Sequence, residues 1–200
     1  MGRYRLWLVA GSSPSVLRSA EVRTPVSRVI AVSRAIEVIP KPDVYVFKDR
    51  SSAVEYSDRI SDILADRRTV VAPMWTFTHL RPNPRPAWWD QVIYVDRRRL
   101  ERTGSPGPMR TETNFGRMKY PEGKLSGPWG VCWAINHGAE EIDIMGFEGV
   151  VQVEGGIPVG PFVEQARILQ AMAVACPDIM FRYYGTLVWD IVGENVEVIA

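Results

Sequence analysis

Apolar runs of strand length recur along the chain, each stopped by small or polar residues and most followed by a stretch with helical spacing. Tyr4 to Ala10 (YRLWLVA) is the first. It stops at Gly11-Ser12-Ser13-Pro14-Ser15, and Val16-Leu17 resumes the apolar character, which predicts a strand, a tight turn and a helix start. Ser13 is placed to cap a helix whose first position is Pro14, where a missing N–H is no loss. Arg28 to Ser33 (RVIAVS) and Asp43 to Phe47 (DVYVF) read as the second and third strands, the latter ending at Lys48-Asp49. Ser51 to Arg67 sets Val54, Ile60, Ile63 and Leu64 on roughly one helical face, and Thr69 to Ala72 follows as a short buried strand. Further on, Ser126-Gly127-Pro128 opens a helix over Trp129 to His137, closed by Gly138. Glu141 to Met145 (EIDIM) is a strand, Phe162 to Ala175 an amphipathic helix, Ile179 to Tyr184 a strand and Val196 to Ile199 a last edge strand.

Apolar strands alternating with helices predict an α/β fold with a mostly parallel sheet and helices on both faces. At 200 residues the chain suits one domain with a full core. Ligands of such sheets settle at the carboxyl ends of the strands, near the point where strand order reverses. Three segments should gather there: Gly11 to Ser15, Ser33-Arg34, and Gly146 to Gly149. Residues 73–124 break the pattern. Proline, glycine, tryptophan and arginine interrupt every period except the strand-like Gln91 to Val95, so a long irregular insertion is expected there, of the kind that carries selectivity.

Charge sharpens this picture. The net charge of +1 conceals a strong asymmetry: residues 1–78 carry twelve basic and eight acidic side chains, 79–124 ten and five, and 125–200 two and ten. The middle third is therefore the expected seat of a small anionic ligand. Twenty of the 24 basic residues are arginines, whose planar fork suits phosphate or carboxylate, although a genomic GC bias produces the same ratio. The cluster Asp96-Arg97-Arg98-Arg99, with Arg102, Arg110, Arg117, Lys119 and Lys124, suits an anion, and Trp88, Trp89, Phe115 and Tyr120 could stack on a base or sugar. Acidic residues are mixed among these charges and the pI is about 7.8, which argues against nucleic acid. No apolar run approaches the ~20 residues that cross a bilayer, and no cleavable leader is legible, so neither membrane insertion nor secretion is expected. Cys132 and Cys176 fit no disulfide framework or metal spacing, which points to a reducing, cytoplasmic setting. A homo-oligomer is left open.

Candidate chemistry follows from position. The Gly11 to Ser15 turn brings small residues and backbone N–H groups to a helix start, an arrangement that can cradle a phosphate or simply make a capped turn. It is neither a G-x-G-x-x-G nor a Walker loop. Two histidines are present: His137 is expected to stabilise a helix end, which leaves His79 as the better candidate base. Asp49 and Glu148, each at a strand end, suit a Mg²⁺ ligand or a base as well as they suit caps and salt bridges; Asp49 is the metal candidate and Glu148 the catalytic one. Trp129 and Trp133, four apart, read as a core stripe.

The segment Ser126 to Gly149 (SGPWGVCWAINHGAEEIDIMGFEG) joins a small-residue loop, a helix, a strand and a glycine turn, with Ser126-Gly127, Ala134, Gly138, Glu141 and Ile142 to Glu148 at the marked positions. In this it resembles the bacterial lipooligosaccharide sialyltransferases and the archaeal 6-hydroxymethylpterin diphosphokinase-like proteins. Gly11 to Val16 resembles the G-x-G-P-S-L nucleotide loop of those groups, and Val29 to Arg34 and Pro42 to Asp49 resemble their second and third strands. The resemblance implies a Rossmann-like domain binding a nucleotide or nucleotide sugar, with Mg²⁺ an option. Its cofactor-binding set would be Gly11, Ser12, Ser13, Ser15, Ser33, Arg34, Ser126 and Gly127. The implied activity is a nucleotide-sugar-dependent glycosyltransferase acting by direct displacement at the sugar carbon, with Glu148 or His79 activating the acceptor. An ATP-dependent diphosphokinase and a catalytically inactive nucleotide-binding or assembly module are the alternatives. Residues 150–160 (VVQVEGGIPVG) lack the histidine and tyrosines that the sialyltransferases use there, so that chemistry is not carried over.

Overall fold

The computed structural model describes residues 5–21, 26–73, 76, 86–95, 111–112, 117–121, 125–147, 152–154, 157–159, 161–185 and 192–199. Nine strands form one all-parallel sheet: β1 (Leu6–Ala10), β2 (Arg28–Val32), β3 (Val44–Val46), β4 (Thr69–Pro73), β5 (Ile93–Val95), β6 (Thr111–Glu112), β7 (Glu141–Met145), β10 (Met180–Tyr184) and β11 (Val196–Ile199). Two more, β8 (Gln152–Glu154) and β9 (Ile157–Val159), pair as an antiparallel hairpin. The sheet order is β11-β10-β7-β1-β2-β3-β4-β5-β6. From β1 the chain steps outward through β6, then returns to the other side of β1 with β7 and continues to β11. This is a doubly wound, Rossmann-like α/β fold, and its strand order reverses between β1 and β7.

Alternation within the strands divides the core between the two faces. Val9, Ile30, Val44, Val71, Ile144 and Phe181 join one cluster with α3 (Gly127–Asn136) and α4 (Pro161–Ala175). Ala10, Ala31, Tyr45, Val70 and Tyr94 join another with Ile36 and with α2 (Ser57–Ala65). Helix α3 is buried at every position from Gly127 to Ile135, which explains why its sequence is apolar on all sides. No helix among the described residues is long and apolar enough to cross a membrane.

Several expectations are refined. The first crossover is an eight-residue 3-10 helix, Pro14–Glu21, and a second, Ser33–Glu37, follows β2. The single helix expected over 51–67 is two, α1 (Arg50–Glu55) and α2. They part at Tyr56, whose ring is buried and whose hydroxyl donates to Glu37 Oε1 at 2.5 Å. Within 73–124 the strand expected at Gln91 to Val95 is present as β5, and the structure adds a 3-10 turn at Trp89–Gln91 and the short strand β6, which extends the sheet. The stacking role expected for Trp88, Trp89 and Tyr120 is overturned: they are 3%, 1% and 2% exposed and belong to the core. Trp129 and Trp133 are core residues, as their spacing predicts. The β8–β9 hairpin pairs Glu154 with Ile157 and was not among the expected elements.

Parallel register also explains a buried charge network. Arg182 on β10 lies opposite Asp143 on β7 and opposite Glu197 on β11. It bonds Asp143 at 3.1 Å and Glu141 at 2.6 Å and pairs with Glu197 at 3.3 Å, while the Tyr184 hydroxyl donates to Asp143 at 3.2 Å. Asp143 is fully buried; burial pushes its carboxyl up and Arg182 pulls it only part of the way back. Replacing one partner of such a pair leaves the other charge stranded, so Arg182→Leu should lower unfolding free energy by about 3–5 kcal/mol in urea titrations. Asp143→Asn should cost less, because Arg182 keeps two carboxylates.

Candidate functional site

Crossover helices run antiparallel to the strands of a parallel sheet, so their first turns sit at its carboxyl edge. Five segments meet there: 11–15 after β1, Ser33-Arg34 after β2, Lys48-Asp49 after β3, Ser126-Gly127 at the start of α3, and Gly146-Phe147 after β7. Of the three segments expected at this edge, the first two are present in full and the third as far as Phe147.

The β1 and β7 turns are sewn together. Gly11 N–H donates to the Met145 carbonyl at 2.7 Å, Ser13 N–H to the Gly146 carbonyl at 3.0 Å, and Gly146 N–H to the buried Ser15 hydroxyl at 2.7 Å. Gly146 takes φ +71°, and a Cβ on Gly11 would lie 2.1 Å from the Gly146 carbonyl oxygen. Two amides expected to cradle a phosphate are thus committed to the neighbouring turn, and Ser15 serves as an internal acceptor. Ser12 is exposed at the tip.

The start of α3 is different. Ser126 is 8% exposed, and its side chain does not cap the helix. Pro128 follows in the first turn and contributes no N–H. A Cβ on Gly127 would strike the Phe147 ring at 2.2 Å and Gln165 Oε1 at 2.6 Å, which is why glycine stands there. Gln165 in turn donates to the Phe147 carbonyl at 3.2 Å. Lys48, after β3, is 4% exposed and its ammonium lies 5.1 Å from the centre of the Trp129 ring. The indole is itself fixed, donating to the Pro121 carbonyl at 3.0 Å with the Tyr120 ring 4.8 Å away.

The remaining candidates take diverse roles. Ser33 adopts φ +50°, the left-handed region that costs a non-glycine residue about 1 kcal/mol or more. Arg34 is exposed and turns toward Tyr56, whose hydroxyl, with Glu55 and Glu37, favours its charged form. Asp49 caps α1: its Oδ1 accepts from Ser52 N–H at 2.8 Å and from the Ser51 hydroxyl at 2.6 Å. No group of three or more His, Cys, Asp or Glu side chains arranged for a metal occurs among the described residues. His137 ends α3, its ring stacked on Trp133 at 3.8 Å and its Nδ1 2.8 Å from the Trp133 carbonyl. His79, Glu148, Phe115 and most of the arginine cluster lie outside the described residues. Within that cluster Arg117 forms a bidentate pair with Asp178 and Lys119 is exposed. At the opposite pole, before β3 and β4, a groove of about 260 Å³ is lined by Lys41, Arg59, Asp62, Asp66 and Arg68, with Lys41 and Asp66 3.8 Å apart.

Lys48 and Gln165 are edge residues that were not singled out from the sequence, and Phe147 lies within the expected Gly146 to Gly149 segment. The available signal for Lys48 was that it is one of four lysines and directly follows an apolar strand. Fold and edge together define a doubly wound α/β protein, the class in which ligands ordinarily settle at the carboxyl edge. Comparison of the chain with protein-family models, curated proteins and solved structures gives no match.

Two outcomes follow from this geometry. Gly11→Ala forces backbone apart at the β1–β7 contact and should lower stability by roughly 1–3 kcal/mol or more in urea titrations. For Asp49, burial raises the carboxyl pKa but the Ser51 and Ser52 hydrogen bonds outweigh it, leaving the group below its ordinary value. Its contribution is present at neutral pH and is lost as pH falls through that depressed value. Asp49→Ala should therefore cost about 1 kcal/mol at pH 7, and the difference from wild type should close on acidification.

Proposed function

We propose that the chain binds a nucleotide or nucleotide sugar across the β1–β7 switch point and acts as a nucleotide-dependent transferase of glycosyl type. The observation that carries the reading is the start of α3: a helix N-terminus with no side-chain cap, preceded by the buried residue Ser126, at the edge where doubly wound folds take their ligands. Ser126 and Gly127 would meet the ligand's phosphate, Ser12 and Ser33 would flank it, and Gly11 and Ser15 hold the edge in shape. The resemblance to sialyltransferases and pterin diphosphokinases supports the same ligand class. Glu148, next in sequence after Phe147, and His79 are the candidates to activate an acceptor. Charge on the departing phosphate would be offset by the helix N-terminus, and direct displacement at the sugar carbon follows. Cys132 and Cys176 are buried and unbridged, which suits the reducing cytoplasm.

A thermal-shift series of nucleoside mono- and diphosphates and their sugar conjugates tests the reading. A ligand at a hundred times its Kd should stabilise the fold by ~2.7 kcal/mol, roughly 5–10 °C in Tm. Ser126→Ala should weaken that ligand about tenfold. Absence of any shift across the series would refute nucleotide binding. Binding without turnover, unaffected by Glu148→Gln, would identify the non-catalytic module instead.

A further inference from the structure

Helix α3 turns Gly130 to the sheet, where a Cβ would stand 2.7 Å from Val32 Cγ2. Its opposite flank presents Trp129, Cys132 and Asn136, three and four residues apart and so on one helix face. A strap of chain, residues 117–121, runs back along that face. The Asn136 amide grips the Met118 backbone, Oδ1 accepting from the N–H and Nδ2 donating to the carbonyl, both at 2.8 Å. The Cys132 thiol, itself fully buried, donates to the same carbonyl at 3.6 Å. Further along, the Trp129 indole donates to the Pro121 carbonyl at 3.0 Å and packs against the Tyr120 ring at 4.8 Å.

The two ends of the strap are fastened unequally. Tyr120 is 2% exposed, so the Pro121 end is held by aromatic burial. The Arg117 end is held by the pair with Asp178, both of whose side chains are exposed, and by the Asn136 clamp on the half-buried Met118. Exposed ion pairs contribute little and weaken with salt, and amide hydrogen bonds exchange for water once it reaches them. Lifting this end gives up few contacts and leaves the sheet intact.

We propose that residues 117–121 work as a latch, with Tyr120 on Trp129 as its pivot and the Asn136 and Asp178 contacts as its catch, and that the catch releases without global unfolding and uncovers the Cys132 thiol. The device stands independently of the proposed nucleotide site. Its pivot is in the first turn of α3, at the carboxyl edge, and its catch lies at the opposite pole, where Asp178 precedes β10.

Iodoacetamide labelling of the native protein, read residue by residue by peptide mass spectrometry along a urea series below the unfolding transition, tests the latch. Cys132 should label at a rate almost flat in urea, because releasing the catch exposes little surface, whereas global unfolding has a steep urea dependence. Raising salt to about 1 M should speed this labelling. Arg117→Ala should speed it about threefold at low salt and abolish the salt response, and Asn136→Ala should speed it about tenfold. Cys132 labelling with the full urea dependence of global unfolding overturns the latch, as does a rate indifferent to both salt and Arg117→Ala. Should Asn136→Ala fail to fold, the wild-type urea slope and the salt response decide.

Discussion

Where the strand order reverses, the turn after β1 and the turn after β7 meet backbone to backbone, with Gly11 and Gly146 so close that neither tolerates a side chain without one turn moving. Everything at the carboxyl edge is arranged around that contact. The two central strands are 131 residues apart at the Ser15–Gly146 hydrogen bond, so their pairing is a wholly tertiary event. Its donors and acceptors are then satisfied internally, as buried backbone groups must be. The turn that looks like a phosphate cradle thereby becomes a fixed link between the β1 and β7 strand ends. The start of α3 lies at the same edge and carries no side-chain cap.

Charge is distributed along the same division. The acidic last third of the chain does not simply project outward: Glu141, Asp143 and Glu197 surround Arg182, and Asp178 clasps Arg117 from the arginine-rich middle. Part of the asymmetry read from the sequence is therefore used up in joining β7, β10 and β11, and in tying residue 117 to the end of α4. Lys48 and Arg34, the described cations in the segments at the carboxyl edge, come instead from the first third of the chain.

The order of elements was legible because strands buried on both faces are continuously apolar and short, and glycine and proline mark their ends. Glu141 to Met145 and Val196 to Ile199 match their strands residue for residue. Helix α3 differs from its expected span by only a residue or two. The break at Tyr56 was not legible, since it depends on Glu37, nineteen residues earlier. Nor was the fate of the tryptophans: an aromatic beside arginines reads equally as ligand platform or core, and only the packing of Trp88 and Trp89 against Phe47 and Tyr94 decides.

Period and punctuation along the chain determined which segments are strands, where each one stops, and hence that small residues line a single edge of a parallel sheet. Tertiary structure alone decided which of those residues commit their hydrogen-bonding groups to a neighbouring strand end. The physical reason is that a local pattern specifies what a segment hides from water, whereas the partner of an amide or an ammonium at a strand end is set by the neighbouring strand, and in a parallel sheet that neighbour is always distant in sequence. Gly11 and Ser13 lost their amides to β7, and Lys48 was delivered to Trp129, for that one reason.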